Sequence, residues 1–397
     1  MSESLHQVLA ARLQDWQRQG LLRHLRQVDS AQGPRIKRGD RELLNFGSND
    51  YLGLAEHPVL KEAAVRALER FGAGSGASRL LCGSLAPHHD LEEALAAFKG
   101  TEAALSFSSG YATAIGTICA LMGRDDVIIL DKLVHACLVD AARLSGATLR
   151  VCKHNDTDDL ERLLAWAAAR RAARPTCNIL VLTESVFSMD GDVAPLRQVV
   201  ELKDHFGAWL MVDEAHATGL YGPWGQGLAA EWGVAGRIEV QMGTLGKALG
   251  SAGGFIAGSR CLVDYLINRA RSFVFSTAPP PAVAAAATAA LRLVRSPEGA
   301  ARRQQLWERV AGFRAALAKP AASQPTAIVP WPVGNEATAV ALAARLEAEG
   351  LFVPAVRYPT VARGAARLRI SLTAAHSAED IRALAQALHA PGGDMAD

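Results

Sequence analysis

The chain has 397 residues, half of them hydrophobic and 21% charged, with a formal net charge of +2. That balance is the balance of a globular protein with a sizeable core. The small net charge leaves no electrostatic footprint for nucleic acid or an anionic membrane, and no apolar run reaches the ~18 residues a membrane span needs.

The N-terminal stretch LHQVLAARLQDWQRQGLLRHLRQV is arginine-rich with a helical period. Glu3, Asp15 and the scarcity of serine set it apart from a transit peptide, so an amphipathic helix packed on the body of the protein is expected. Next comes the helical PVLKEAAVRALERFG, followed by FGAGSGASRLLCG at 71–83. A dinucleotide fingerprint needs G-x-G-x-x-G between a strand and a helix. Here a helix comes first and the third glycine is misplaced, so a loop after a helix C-cap is expected.

From about residue 101 a rhythm sets in of short apolar runs, polar turns and helical stretches. AALSF precedes SSGYATAIGTICALMG, VIIL precedes DKLVHACLVDAARLSG, and ILVLT precedes ESVFSMDGD. AWLMV then precedes DEAHATG, IEVQM precedes GTLGKALG, and GFIAG closes the series. Such runs predict a mostly parallel sheet in an α/β layer fold, with ligand groups collected where the strands end. After FSTAPPPA a long Ala/Leu/Arg helix is expected to about residue 318. AIVPWPVG, a helix at 336–350, LFVPAVRYPT, ARLRISL and a last helix then read as a smaller α+β domain. The expected division is 1–50 for the N-terminal helix and arm, 51–285 for the large domain and 286–397 for the small one. The tail APGGDMAD is expected to fray.

Six cysteines, at 82, 119, 137, 152, 177 and 261, lie without CxxC pairing. This argues against a zinc site or a disulfide framework and for a reducing cytoplasm.

In MGTLGKALGSAGG (242–254), Lys247 stands among glycines, but the spacing is not that of a P-loop, which needs glycine, four residues, then Gly-Lys-Ser/Thr. One strand earlier, VDEAH places Asp213 at the end of an apolar run, with His216 three residues on. A buried carboxylate needs a cation or several donors, and a ligand cation would serve. A strand-end aspartate followed by a glycine-flanked lysine suits pyridoxal phosphate: the lysine forms the Schiff base and the aspartate keeps the pyridine nitrogen protonated. Ser108, Ser109 and Gly110 before a helix would aim the Gly110 and Tyr111 amides at a phosphate. His135 could lie on the ring, and Ser188 and Thr244 supply hydroxyls at neighbouring strand ends.

With NFGSNDYLGL, HHDLE, FSSGY, DKLVHA, TESVFSMDGD, VDEAHATG, GTLGKALG, FSTAPPP and TVARGAARLRISLTAAH in this order, the chain resembles the α-oxoamine synthases from about Asn45 to His376. The resemblance implies a fold-type-I pyridoxal phosphate-dependent transferase, with a mostly parallel central sheet sandwiched by helices. It also implies a condensation of an amino acid with an acyl thioester that releases CO2. AVRYPTVARGAARLRISLTAAH and KHNDTDDL are most similar to the branch using L-alanine and a pimeloyl thioester, carried on coenzyme A or acyl carrier protein. Catalysis would fall to Lys247, His135, Asp213 and His216. Gly110, Tyr111, Ser188 and Thr244 would complete the cofactor pocket, and Ser276 and Thr277 would reach the phosphate of the neighbouring subunit of a homodimer. Arg369 would take the amino-acid carboxylate in fork geometry, with Arg23, Asn49, His135 and Thr360 also on substrate. Ala217, Tyr358 and Ala362 depart from the family pattern, the last two near the acyl site. A relative using glycine or serine, another fold-type-I class, and a non-catalytic binder of the same fold remain alternatives. One methyl group discriminates by only ~1–3 kcal/mol, and loss of Lys247 or Asp213 would mark the binder.

Overall fold

The structure is a computed structural model that describes residues 4–318 and 324–389. The tail at 390–397, where fraying is expected, lies outside the described residues. The chain forms two compact units, one of Asn49–Gln305 and one of Met1–Ser48 with Leu306–Asp397. The sequence reading divides at 50/51 and 285/286 instead, and leaves the N-terminal arm apart from the C-terminal unit.

Leu5–Arg18 is helical, opened by a capping box in which Ser4 Oγ accepts the Gln7 N–H and the Gln7 side chain accepts the Ser4 N–H. The expected packing of this helix on the body is not found. None of its residues is buried, and Leu5, Leu9, Leu13 and Trp16 are exposed. In the same unit, β1 (Arg35–Arg38) and β2 (Arg41–Asn45) pair antiparallel.

The larger unit is built on seven strands: β3 (Ala103–Phe107), β4 (Val127–Asp131), β5 (Thr148–Cys152), β6 (Ile179–Glu184), β7 (Trp209–Asp213), β8 (Val240–Thr244) and β9 (Gly254–Gly258). Their order is β3-β9-β8-β7-β6-β4-β5. The strands from β8 through β5 are parallel, whereas β9 runs antiparallel to both β8 and β3. Strands β3, β4, β6 and β9 are buried along their whole length, as a sheet covered on both faces requires. Strand β5 escapes the apolar-run reading because it is an edge strand whose residues are partly exposed.

The helical stretches expected at ESVFSMDGD, DEAHATG and GTLGKALG do not form, and the long helix expected after them is divided. ESVFSMDGD is a loop closed on itself: Phe187 N–H donates to Asp192 O at 2.9 Å, Gly191 N–H donates to Phe187 O at 2.9 Å, and Gly191 adopts φ +68°. The single helix expected to about residue 318 is two, Pro281–Val294 and Pro297–Ala316. Pro297 has no N–H to continue the first helix but is suited to open the second.

In the smaller unit, β10 (Ile328–Gly334) and β12 (Ala355–Val356) flank β13 (Ala366–Ser371) antiparallel, and β11 (Leu351–Phe352) joins β2 in parallel. His376 is buried here, stacked on Phe46 with ring centroids 4.4 Å apart. Its Nδ1 accepts the Thr373 N–H at 3.2 Å and its Nε2 lies 3.0 Å from Asn45 O.

Candidate active site

Parallel pairing lines up the ends of three strands: Glu184 of β6 sits opposite Asp213 of β7, which in turn sits opposite Met242 of β8. All three residues line a cavity of about 190 Å³, together with Gly110, His135, His216, Thr244 and Lys247. The sheet therefore brings together most of the cofactor residues expected from the sequence. Lys247 lies in the turn from β8 to β9, which is held by Leu245 N–H to Gly253 O at 3.0 Å and Ser251 N–H to Leu245 O at 2.9 Å. Gly250 in that turn adopts φ +60°, and a Cβ there would come 2.5 Å from Leu54 C. A side chain at this point would push the lysine turn off its neighbour.

Asp213 is buried, and its Oδ1 accepts the Ala215 N–H at 2.8 Å. Burial raises its pKa, against the opposing charge of Lys247 and the hydrogen bond from Ala215. Glu184 is buried as well, and burial followed by the Asp213 charge holds it well above the ordinary carboxylate range. It accepts the N–H groups of His135 and Ser188. Two desolvated acids side by side make a floor that favours a bound cation.

His216 Nδ1 lies 2.7 Å from the Tyr51 hydroxyl, and that hydroxyl donates to Asn49 Oδ1 at 3.1 Å. Asn49 is thereby linked to the pocket through Tyr51. His135 caps the helix Ala136–Ser145: its Nδ1 accepts the Cys137 N–H at 3.2 Å, and Cys137 Sγ lies 3.0 Å away. An accepting Nδ1 places the imidazole proton on Nε2. Burial lowers the His135 pKa, which keeps the ring neutral, and burial likewise pushes the Cys137 thiol up, so it remains protonated.

Another part of the lining is a helix N-terminus. The helix Gly110–Leu121 starts at the cavity, with Ser109 Oγ accepting the Ala112 N–H at 3.0 Å. A Cβ on Gly110 would fall 2.7 Å from Thr244 Cγ2, so only glycine leaves this wall open. Thr244 Oγ1 is buried without a hydrogen-bond partner. An orphan hydroxyl beside a helix N-terminus fits the phosphate end of pyridoxal phosphate, just as the acids fit its ring nitrogen. The residues present fit that group. Tyr111, also on the lining, is half in water and donates its hydroxyl proton to Asp140 at 2.9 Å.

Other expected residues stand elsewhere. Ser276 and Thr277 are not among the lining residues, and Thr277 is exposed, bridged to Ser78. Arg369, Thr360 and Arg23 belong to the smaller unit. Arg369 is buried and donates from Nη1 to Ser371 Oγ at 2.8 Å, and Arg23 Nη2 lies 3.3 Å from the exposed Thr360 hydroxyl. The sequence reading missed Glu184, Tyr51 and Cys137. Glu184 had a usable signal, since it ends an apolar run in the same way as Asp213.

The family model for aminotransferase class I and II matches residues 41–388. The chain belongs to that family. Within it, the chain is 50% identical over 390 residues to the 8-amino-7-oxononanoate synthase of Geobacter sulfurreducens, covering 98% of each. It is 49% identical to that of Anaeromyxobacter dehalogenans, over 98% of this chain and 96% of the relative. Among solved structures, a serine palmitoyltransferase of S. paucimobilis with a bound PLP–myriocin aldimine aligns at TM-score 0.90 and 28% identity, covering 98% of each chain. An 8-amino-7-oxononanoate synthase of Francisella tularensis aligns at TM-score 0.71 and 27% identity, over 87% of this chain and 96% of that one.

Proposed function

We propose that the chain is a pyridoxal phosphate-dependent acyltransferase that condenses L-alanine with a pimeloyl thioester, giving 8-amino-7-oxononanoate, CO2 and the free carrier thiol. One observation carries the reading. Lys247, Asp213, His135, His216 and the orphan Thr244 hydroxyl converge on one cavity, in a chain 50% identical to a relative named for this product.

Pyridoxal phosphate, when bound, supplies the electron sink for carbanion chemistry at the amino-acid Cα. The side chains divide the remaining work. Lys247 Nζ holds the cofactor and then carries the Cα proton, which requires a neutral amine. The Asp213 carboxylate keeps a proton on the ring nitrogen. His216, steadied by Tyr51, would hold the ring hydroxyl, and neutral His135 would help hold the ring. Ser188, Thr244, Gly110 and Tyr111 complete the cofactor pocket. Arg369 takes the substrate carboxylate, with Arg23, Asn49 and Thr360 also on substrate.

In this reading the protein works in the cytoplasm as a homodimer whose Ser276 and Thr277 reach the partner's cofactor phosphate. Their place outside their own cavity's lining, beside the exposed Phe275, supports the shared site. Among the described residues no helix is long and apolar enough to cross a membrane.

The test is free-thiol release with pimeloyl-CoA plus L-alanine against acetyl-CoA plus glycine. Faster release with the first pair is expected, and preference for the second would overturn the substrate assignment.

A further inference from the structure

His154 and Asn155 of KHNDTDDL are not on the cavity lining, yet with Asp131 and Asp192 they form a compact polar cluster. His154 Nδ1 is 2.8 Å from Asp131 Oδ1, and its Nε2 is 2.6 Å from Asp192 Oδ2. A ring with a carboxylate on each nitrogen donates from both, and is therefore an imidazolium. Burial works against that charge, but the hydrogen bonds to Asp131 and Asp192 outweigh it, and the pKa is pushed up to about 10. Asn155, at φ +53°, reinforces the bridge: its N–H donates to Asp131 Oδ2 at 2.8 Å and its Nδ2 to Asp192 Oδ2 at 2.9 Å.

Each carboxylate belongs to a loop that carries a residue assigned to the cofactor in the proposed function, His135 on the cavity lining and Ser188 off it. Asp131 ends β4, and its Oδ1 also accepts the Leu133 N–H at 2.8 Å, two residues before His135. Asp192 closes the 185–193 loop, in which Ser188 follows Phe187. The buried Phe187 ring packs edge-on against His154, with centroids 4.4 Å apart. On the pocket side, Glu184 accepts the backbone N–H groups of both His135 and Ser188. The two loops are thus joined twice, by Glu184 on the cavity lining and by His154 off it.

We infer that His154 is a positioning residue, whose bridge between Asp131 and Asp192 fixes the spacing of the loops that present His135 and Ser188 to the cofactor. The inference rests on the proposed pyridoxal phosphate site. Two charge-assisted hydrogen bonds are enough to bias loop spacing, and the cofactor reads that bias as affinity.

The experiment measures the dissociation constant of pyridoxal phosphate, from the visible band of the bound cofactor, in the full chain and in His154→Ala, Asp192→Asn, the double variant and His154→Gln. The two single variants are expected to bind about tenfold more weakly. The double variant should bind no worse than the weaker single, because both changes break one bridge. His154→Gln should recover part of the loss through its single amide donor. Variants binding as tightly as the parent, whatever their thermal stability, would overturn the inference, as would losses that multiply in the double variant. A parent that takes up no pyridoxal phosphate would instead overturn the reading of the site.

Discussion

Asp213 and Glu214 follow one another at the end of β7 and both are buried, yet they serve different regions of the molecule. Glu214 is consumed by the fold. Its Oε2 lies 2.5 Å from Lys99 Nζ, with both side chains almost wholly out of water, and its Oε1 accepts the Ala229 N–H at 2.9 Å. Lys99 is consumed in turn, donating also to Gln226 O at 2.6 Å. Asp213 lines the cavity with Glu184 and Lys247, where the proposed function sets a ligand cation against it. Burial therefore does not distinguish a functional acid from a structural one. What distinguishes them is whether the protein or its ligand meets the charge.

The sharpest way to test the cavity side of this contrast is Lys247→Ala. Turnover is expected to fall by at least about 10³-fold, with the covalently held cofactor lost from the visible spectrum and the unfolding temperature of the cofactor-free chain little changed. A protein that keeps its turnover would show that the cavity is not the reaction site.

The adjacent acids can then be compared directly. Asp213→Asn should cut kcat by roughly 10²–10³-fold while leaving the cofactor-free fold intact, because a neutral amide no longer holds a proton on the ring nitrogen. Glu214→Ala leaves Lys99 buried without its carboxylate, and should cost about 3–5 kcal/mol in urea unfolding. Equal losses of stability in both variants would erase the distinction.

His376 extends the structural side of the comparison to the smaller unit, where backbone groups meet both of its ring nitrogens. Burial pushes its pKa from 6.5 down to about 4. The unfolded chain therefore takes up this proton before the folded one does. The stability contributed by the neutral ring is present in full above pH 6.5 and is lost as the pH falls through about 4. The loss amounts to about 3 kcal/mol by linkage. Unfolding free energies measured at pH 7 and pH 4 should show that much less acid sensitivity in His376→Gln than in the parent. An identical pH dependence would mean that His376 does not stay neutral in the fold.

The β-rich runs and the acids and lysine at their ends were legible because a sheet covered on both faces demands uninterrupted apolar strands, and chemistry then collects where these stop. Strand β5 was not legible, since an edge strand need not be apolar, and neither was the break at Ser296–Pro297 inside an otherwise helical composition. In the site, Lys247, Asp213 and His216 stood out by residue type and strand-end position. Glu184 shares that strand-end position, but its tie to the His135 backbone, 49 positions away, was not legible, and Tyr51 offered no signal because its importance lies in its contact with His216, 165 positions away. Nor could the letters DE say which acid would meet Lys99, since that depends on how the helix Ala86–Lys99 packs in the larger unit.

Thr244 gives the smallest expected effect and the finest resolution of the contrast. Its hydroxyl is buried without a hydrogen-bond partner, so on the proposed reading it costs stability in the cofactor-free chain and regains that cost when a phosphate oxygen accepts its proton. Valine keeps the shape and removes the polar atom. Thr244→Val should therefore move two observables in opposite directions. The cofactor-free chain should gain up to about 1 kcal/mol in unfolding free energy, while the dissociation constant for pyridoxal phosphate should rise several-fold. A hydroxyl with a purely structural role predicts the reverse for stability and no change in cofactor binding. Paired measurements on the one variant thus decide whether Thr244 belongs with Asp213, waiting for a ligand, or with Glu214, already answered by the fold.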